Sequence, residues 1–275
     1  MIILLKISEI KESNYRLLNI LFNLGKPTAM IGSHTEVYSE FICESKENTY
    51  SFNNNPLKFF NKNLNESQID AIEFCLQSNE LALIHGPPGT GKTTTVVELI
   101  LQAVLLGKKI LVVAPSNIAV DNIAEKLISF KSELNFDLCR IGHPARMLES
   151  IISISLDKKV ESSPFMKSQK ESKKKFEKLR KELLNIKHFE REKKKGIKDE
   201  MKMLREDIKG AYRNSVFEVF AKSKVILSTC VSAADLNLRA SIDRTKDGVF
   251  DMVIIDECAQ ATEAACWISI LMAKK

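Results

Sequence analysis

The run His85-Gly86-Pro87-Pro88-Gly89-Thr90-Gly91-Lys92-Thr93 fits G-x-x-x-x-G-K-[ST], a spacing that can cradle phosphate. The glycines let the backbone curl so that successive N–H groups point at one anion. Lys92 is placed to reach the β- and γ-phosphates, and the Thr93 hydroxyl to ligate Mg²⁺. A second acidic site lies far downstream, where Met252-Val253-Ile254-Ile255 ends in Asp256-Glu257. An aspartate closing an apolar run is the Walker B pattern, whose carboxylate holds the same Mg²⁺. An adjacent glutamate can orient and deprotonate an attacking water. The bland alternatives are a chance glycine turn and a strand end with two solvated acids.

These groups need elements to hold them. Leu81-Ala82-Leu83-Ile84 reads as a buried strand, and Val96, Val97, Leu99, Ile100, Ala103 and Val104 recur at helical spacing after Thr93. Strand, glycine loop and helix together aim a helix N-terminus at a phosphate. Upstream, Leu64-Asn65-Glu66-Ser67-Gln68 reads as a helix start with a polar cap. The Gln68 amide offers both a donor and an acceptor, which suits an adenine edge as well as a solvated helix face. Ile110-Leu111-Val112-Val113-Ala114 is another buried strand, and Pro115-Ser116-Asn117 ends it and caps the next helix. Further strands are expected at Leu138-Cys139-Arg140-Ile141-Gly142 and Lys224 to Thr229. Apolar runs alternating with helices indicate an α/β fold with a parallel sheet, its function at the carboxyl ends of the strands.

Residues 146–222 break this rhythm. Phe176, Leu179, Leu183 and Ile186 recur at helical spacing, as do Ile197, Met201, Leu204 and Ile208, with Gly196 between the two sets. The pattern predicts an inserted antiparallel helical hairpin. Residues 1–62 carry no legible chemistry. A helix over Tyr15–Leu24, a short strand or helix turn at Val37–Ile42 and a loop around Phe52–Pro56 are expected.

The chain has 275 residues and a net charge of +6, unevenly placed: residues 158–213 hold 20 Lys/Arg against 10 Asp/Glu. That surplus fits an arm near an anion such as nucleic acid, or a helical arm kept soluble by its charge. The six cysteines have no C-x-x-C spacing, which argues against a disulfide framework or zinc site. The apolar start Met1–Leu5 is too short for a signal peptide, and no run is long enough to span a bilayer. An intracellular protein of nucleus or cytoplasm, with no membrane partner, is expected.

Several longer strings carry a family likeness. They are Leu64–Gln68, Gly86–Thr93, Ala114-Pro115-Ser116-Asn117-Ile118-Ala119-Val120-Asp121-Asn122, Arg140-Ile141-Gly142-His143-Pro144-Ala145-Arg146, and Asp256-Glu257-Cys258-Ala259-Gln260-Ala261-Thr262-Glu263. In these the chain resembles superfamily 1 helicases of the Upf-type group. The resemblance implies a RecA-like P-loop NTPase domain with ATP and Mg²⁺ as cofactors. It implies that Gln68, Gly86, Pro87, Pro88, Gly89, Thr90, Gly91, Lys92, Thr93 and Thr94 bind the nucleotide and that Thr93 and Asp256 hold the metal. Glu257 would be the general base, with Lys92 and Gln260 completing the catalytic set. Pro115, Ser116, Asn117 and Thr229 would lie beside single-stranded RNA or DNA. Residues 1–62 would be a barrel or stalk remnant, 63–145 and 223–275 the two parts of the ATPase domain, and 146–222 the family's inserted arm.

The family's Gly-Asp-x-x-Gln-Leu-Pro-Pro stretch and second RecA-like domain would follow Lys275. The expected function is therefore the first motor domain of an ATP-dependent 5′-to-3′ helicase. The alternatives are a module that binds ATP, and nucleic acid weakly, without unwinding, and a small-molecule kinase, which the Asp256–Gln260 string disfavours.

Overall fold

The computed structural model describes residues 2–5, 57–78, 81–185, 191–243 and 250–273. The helix expected over 15–24, the segment at 37–42 and the loop at 52–56 lie outside the described residues.

Six strands form one sheet: β1 (Ile2–Leu5), β2 (Leu81–Ile84), β3 (Ile110–Ala114), β4 (Leu138–Arg140), β5 (Val225–Thr229) and β6 (Met252–Ile255), in the order β2-β1-β6-β3-β5-β4. Strands β6, β3, β5 and β4 pair in parallel, and β1 is antiparallel to both β2 and β6. Strand β2 therefore points the same way as β6, and the glycine loop and Asp256 leave the same edge of the sheet. The fold is a RecA-like α/β domain with a largely parallel sheet.

Strand β1 departs from the sequence reading, which placed the first 62 residues outside the sheet. The run Ile2-Ile3-Leu4-Leu5 is apolar at every position, the pattern of a strand inside a sheet and not at its edge. Four residues without a flanking turn signal gave no means to see this. Strand β1 lies between the phosphate-loop strand and the Asp256 strand, which are thus separated by one intervening strand.

Alternate residues of β3, β4, β5 and β6 feed two cores. Ile110, Val112, Val225, Leu227 and Ile254 face a cluster completed by α1 (Glu66–Gln77), α2 (Lys92–Leu105) and α3 (Asn117–Leu134). Leu111, Val113, Ile226, Val253 and Ile255 face a second cluster that includes Val216, Val219 and Phe220 of a later helix. Both faces are thus covered, as a parallel sheet requires. No helix among the described residues is long and apolar enough to cross a membrane.

Between β4 and β5 the chain forms α4 (Leu156–Ser162), α5 (Pro164–Ser168), α6 (Lys170–Asn185) and α7 (Arg191–Lys222). The carboxyl half of α7 packs on the sheet through Ala211, Val216, Val219 and Phe220. Its amino half packs against α6 as a helical hairpin, as the two apolar sets predicted. Gly196 sits inside α7, with nothing within 4 Å of a Cβ built there. Helices α8 (Leu236–Asp243) and α9 (Glu263–Ile270) flank the last strand.

Candidate functional site

The phosphate loop runs from the end of β2 to the start of α2. Gly89 and Gly91 adopt φ values of 82° and 81°, the left-handed region where a side chain is strained. Gly91 has a second constraint: a Cβ there would lie 2.6 Å from Gln68 Nε2. At Gly86 a Cβ would lie 2.7 Å from Thr90 Oγ1. Pro87 and Pro88 complete the loop, and Lys92, Thr93 and Thr94 form the first turn of α2. No side chain caps this helix, so its first N–H groups face the loop. Lys92 Nζ donates to the carbonyl oxygens of Gly86 at 2.7 Å and Pro87 at 2.9 Å. The ammonium is thereby folded back over the loop.

Gln68 belongs to this assembly. It occupies the third position of α1, where Asn65 is the N-cap. Its Oε1 accepts from the Asn65 N–H at 3.0 Å, and its own N–H donates to Asn65 Oδ1 at 2.9 Å, a complete capping box. Its Nε2 donates to the Thr90 carbonyl at 3.0 Å, which leaves a second N–H on that atom for another acceptor.

The acidic pair follows β6. Asp256 is buried, and burial pushes its carboxyl above the usual value of 3.8; the Glu257 N–H and the nearby Lys92 pull it back. The Glu257 N–H donates to Asp256 Oδ1 at 2.9 Å. Glu257 itself has φ 51° and ψ 33°, left-handed backbone that a glutamate seldom adopts. Such strain concentrates at functional positions, and here it turns the chain sharply so that Glu257 stays partly exposed beside a buried Asp256. Gln260 closes the short 3₁₀ turn Cys258–Gln260 and is exposed.

Pro115, Ser116, Asn117 and Thr229 meet at the ends of β3 and β5, where Ala114 and Thr229 are register partners. Their side chains are engaged within the protein. Ser116 Oγ accepts from the Ala119 N–H at 3.1 Å as the N-cap of α3. Thr229 Oγ1 donates to Ser232 Oγ at 2.8 Å and accepts from the Ser232 N–H at 3.2 Å. Asn117 Oδ1 accepts from Arg140 Nη2 at 2.9 Å.

Arg140, first residue of the Arg140–Arg146 string, has a structural role. It is fully buried at 0% exposure, with Asp121 at 2%, and its Nε donates to Asp121 Oδ1 at 3.0 Å. Its Nη1 donates to the Ile141 carbonyl, and Asp121 Oδ2 accepts from the Leu148 N–H at 3.0 Å. The guanidinium thus fixes the start of α3, the end of β4 and the following loop. The available signal was an arginine inside the apolar run Leu138–Ile141, since a buried charge needs a partner. Glu98 is a second such case. Inside apolar α2 it is 1% exposed, and its carboxylate accepts from the N–H groups of Phe60 at 2.9 Å and Asn61 at 3.0 Å, tying the segment before α1 to the core.

The chain is also similar to known proteins. Residues 63–275 match the family model described as "AAA domain". The chain is 40% identical over 220 residues to DNA-binding protein SMUBP-2 of Rattus norvegicus, covering 80% of this chain and 21% of that protein. It is 38% identical over 218 residues to the DNA polymerase alpha-associated DNA helicase A of Schizosaccharomyces pombe, covering 78% and 31% respectively. It is 32% identical over 213 residues to a regulator of nonsense transcripts 1 homolog of Arabidopsis thaliana, covering 77% and 15%. The match thus spans about a third or less of the length of each of these relatives.

Proposed function

We propose, from the premise that this chain belongs to the AAA domain family and to the superfamily 1 Upf-type helicases within it, that it is the first motor domain of an ATP-dependent helicase. It would act on single-stranded RNA or DNA in the 5′-to-3′ direction. The observation that carries the reading is that the glycine loop bearing Lys92 and the buried Asp256, from two motifs more than 160 residues apart, leave the same edge of the sheet.

The residues fit ATP and Mg²⁺. The loop is open to an anion at Gly89, where nothing lies within 4 Å of a built Cβ, while Gly86 and Gly91 let Thr90, Lys92 and Gln68 pack closely against its backbone. Lys92 would exchange its carbonyl partners for phosphate oxygens. The Thr93 hydroxyl and the Asp256 carboxylate would hold Mg²⁺, which when bound offsets the phosphate charge. The second Nε2 hydrogen of Gln68 would meet the adenine edge. Glu257 would take the proton of the attacking water, and Gln260, exposed next to it, would report the γ-phosphate to the nucleic-acid side.

For nucleic acid, the engaged side chains of Ser116, Asn117 and Thr229 favour contact through backbone amides and hydroxyl lone pairs, which position phosphates without reading sequence. The division into 1–62, 63–145, 146–222 and 223–275 follows the same reading, with Ile2–Leu5 reassigned to the ATPase sheet.

The test is ATP hydrolysis by the purified chain with and without single-stranded oligonucleotide, alongside Lys92→Ala and Glu257→Gln. Lys92→Ala is expected to abolish ATP binding, and Glu257→Gln to keep binding while removing turnover. Unchanged ATP affinity in Lys92→Ala would refute the site. Binding without turnover in the unaltered chain would make it a nucleotide-binding module whose chemistry needs further residues.

A further inference from the structure

The helical hairpin is not a finished structure. Leu179 of α6 and Ile197 of α7 are 9% and 8% exposed, as the seam of a two-helix coil should be. Phe176, Leu183, Met201 and Ile208 share the same apolar spacing but are only half-buried, and Leu184 is 81% exposed. The apolar stripe is wider than one partner helix covers, which is the pattern of a helix in a bundle and not in a coiled pair. These five side chains line one groove of about 940 Å³ between the two helices.

The groove has a distinct charge. Lys173, Arg180, Arg205 and Lys209 border it, against the single carboxylate of Glu177, which lies 3.7 Å from Arg180. Among the described residues Lys173, Arg205 and Lys209 make no ion pair. Elsewhere on the hairpin, by contrast, Lys175 meets Glu200 at 2.6 Å and Lys193 meets Glu182 at 3.8 Å. An apolar floor with a cationic rim is complementary to one kind of surface, an amphipathic helix with a leucine-like stripe and acidic flanks. A second copy of this chain is disfavoured, because self-pairing would set the same cations against each other. Nucleic acid is disfavoured too, because bases stack best on aromatic platforms and the groove offers one aromatic ring, Phe176, beside four aliphatic side chains.

The geometry points to this groove as the docking site for an acidic amphipathic helix of a partner protein, completing a three-helix bundle on the arm. The surface is remote in function from the ATP site, so the proposal stands independently of it.

The experiment uses the full chain and a fluorescent helical peptide of about 18 residues. The peptide carries Leu at i, i+3, i+4 and i+7 with flanking Glu, and a scrambled peptide of equal composition is the control. Anisotropy is expected to give micromolar affinity, with the scrambled peptide at least about tenfold weaker. Leu184→Ser and the pair Arg205→Glu/Lys209→Glu should each weaken binding about tenfold, while Met203→Ser, outside the groove, should not. Nucleotide affinity, measured in parallel, should be the same in all variants. Equal binding of the scrambled peptide, no binding at all, or full displacement of the peptide by a single-stranded oligonucleotide would each overturn the proposal.

Discussion

The Gln68 side chain donates to the Thr90 carbonyl oxygen at 3.0 Å, joining the first turn of α1 to the tip of the phosphate loop. The same amide accepts from the Asn65 N–H, so one side chain serves a helix cap and a loop brace together. The residue proposed to meet adenine therefore also braces the loop proposed to hold the phosphates.

That coupling makes two substitutions informative. Gln68→Ala removes the brace and half of the capping box, with an expected stability loss of about 1 kcal/mol and an ATP affinity about tenfold weaker. Gly91→Ala attacks the contact from the other side. It puts a Cβ at φ 81° and 2.6 Å from Nε2. The left-handed backbone alone costs about 1–2 kcal/mol. Calorimetric titration with ATP should show weaker binding for Gln68→Ala and none for Gly91→Ala; wild-type affinity in Gly91→Ala would refute the close fit.

Asp256 should trade stability for function. Burial raises its pKa, so the folded chain holds this proton more tightly than the unfolded chain does. The stability it contributes is fully present below the ordinary value of 3.8 and is lost as pH rises through the raised folded value. Asp256→Asn keeps an acceptor for the Glu257 N–H without the buried charge. Without nucleotide it should melt higher at neutral pH, by about 1 kcal/mol or roughly 2–4 °C. The gain should vanish toward pH 4 as the wild-type carboxyl protonates. Added ATP-Mg²⁺ should then raise the melting temperature of the wild type more than that of the variant.

Arg140 should be a stability residue with an effect on nucleic acid. Arg140→Ala leaves Asp121 charged, buried and short of a partner, which typically costs about 3–5 kcal/mol. Arg140→Lys retains the charge but loses the fork that reaches Asp121 and Asn117 together. Denaturant melts should rank wild type above Lys above Ala. In the Lys variant, oligonucleotide affinity should fall while ATP affinity holds, because Asn117 loses its anchor.

The buried thiols supply a check on packing. Burial pushes Cys75 and Cys139 up to about 12, so at pH 8 almost no thiolate is present at either. Iodoacetamide should modify them in the native chain only at the rate of opening, and readily in denaturant, as read by peptide mass mapping. Rapid native alkylation of Cys139 would contradict its place in β4.

Much of the site was legible before the fold was known, because its signals are local. Gly86 to Thr93 carries its own turn chemistry, and five largely apolar runs of four to six residues announced β2 through β6. The hairpin was legible from the spacing of Phe176, Leu179, Ile197 and Met201. Strand β1 was not, since four apolar residues have no period to measure and their partners, β2 and β6, begin at positions 81 and 252. Nor were the partners of Glu98 and Arg140, each a charge in an apolar run whose neighbour lies 19 to 38 residues away.

The sequence by itself determined which chemistry is available: phosphate cradle, lysine, threonine, aspartate and glutamate, each written in a few adjacent residues. The tertiary structure decided how those groups act. Only the sheet brings Asp256 to the edge from which the Lys92 loop leaves, only burial lifts the Asp256 carboxyl, and only the α1–loop contact joins Gln68 to that loop. The division has one physical cause. Backbone conformation follows from neighbours along the chain, whereas desolvation, charge pairing and hydrogen-bond partnership depend on which distant segments exclude water together.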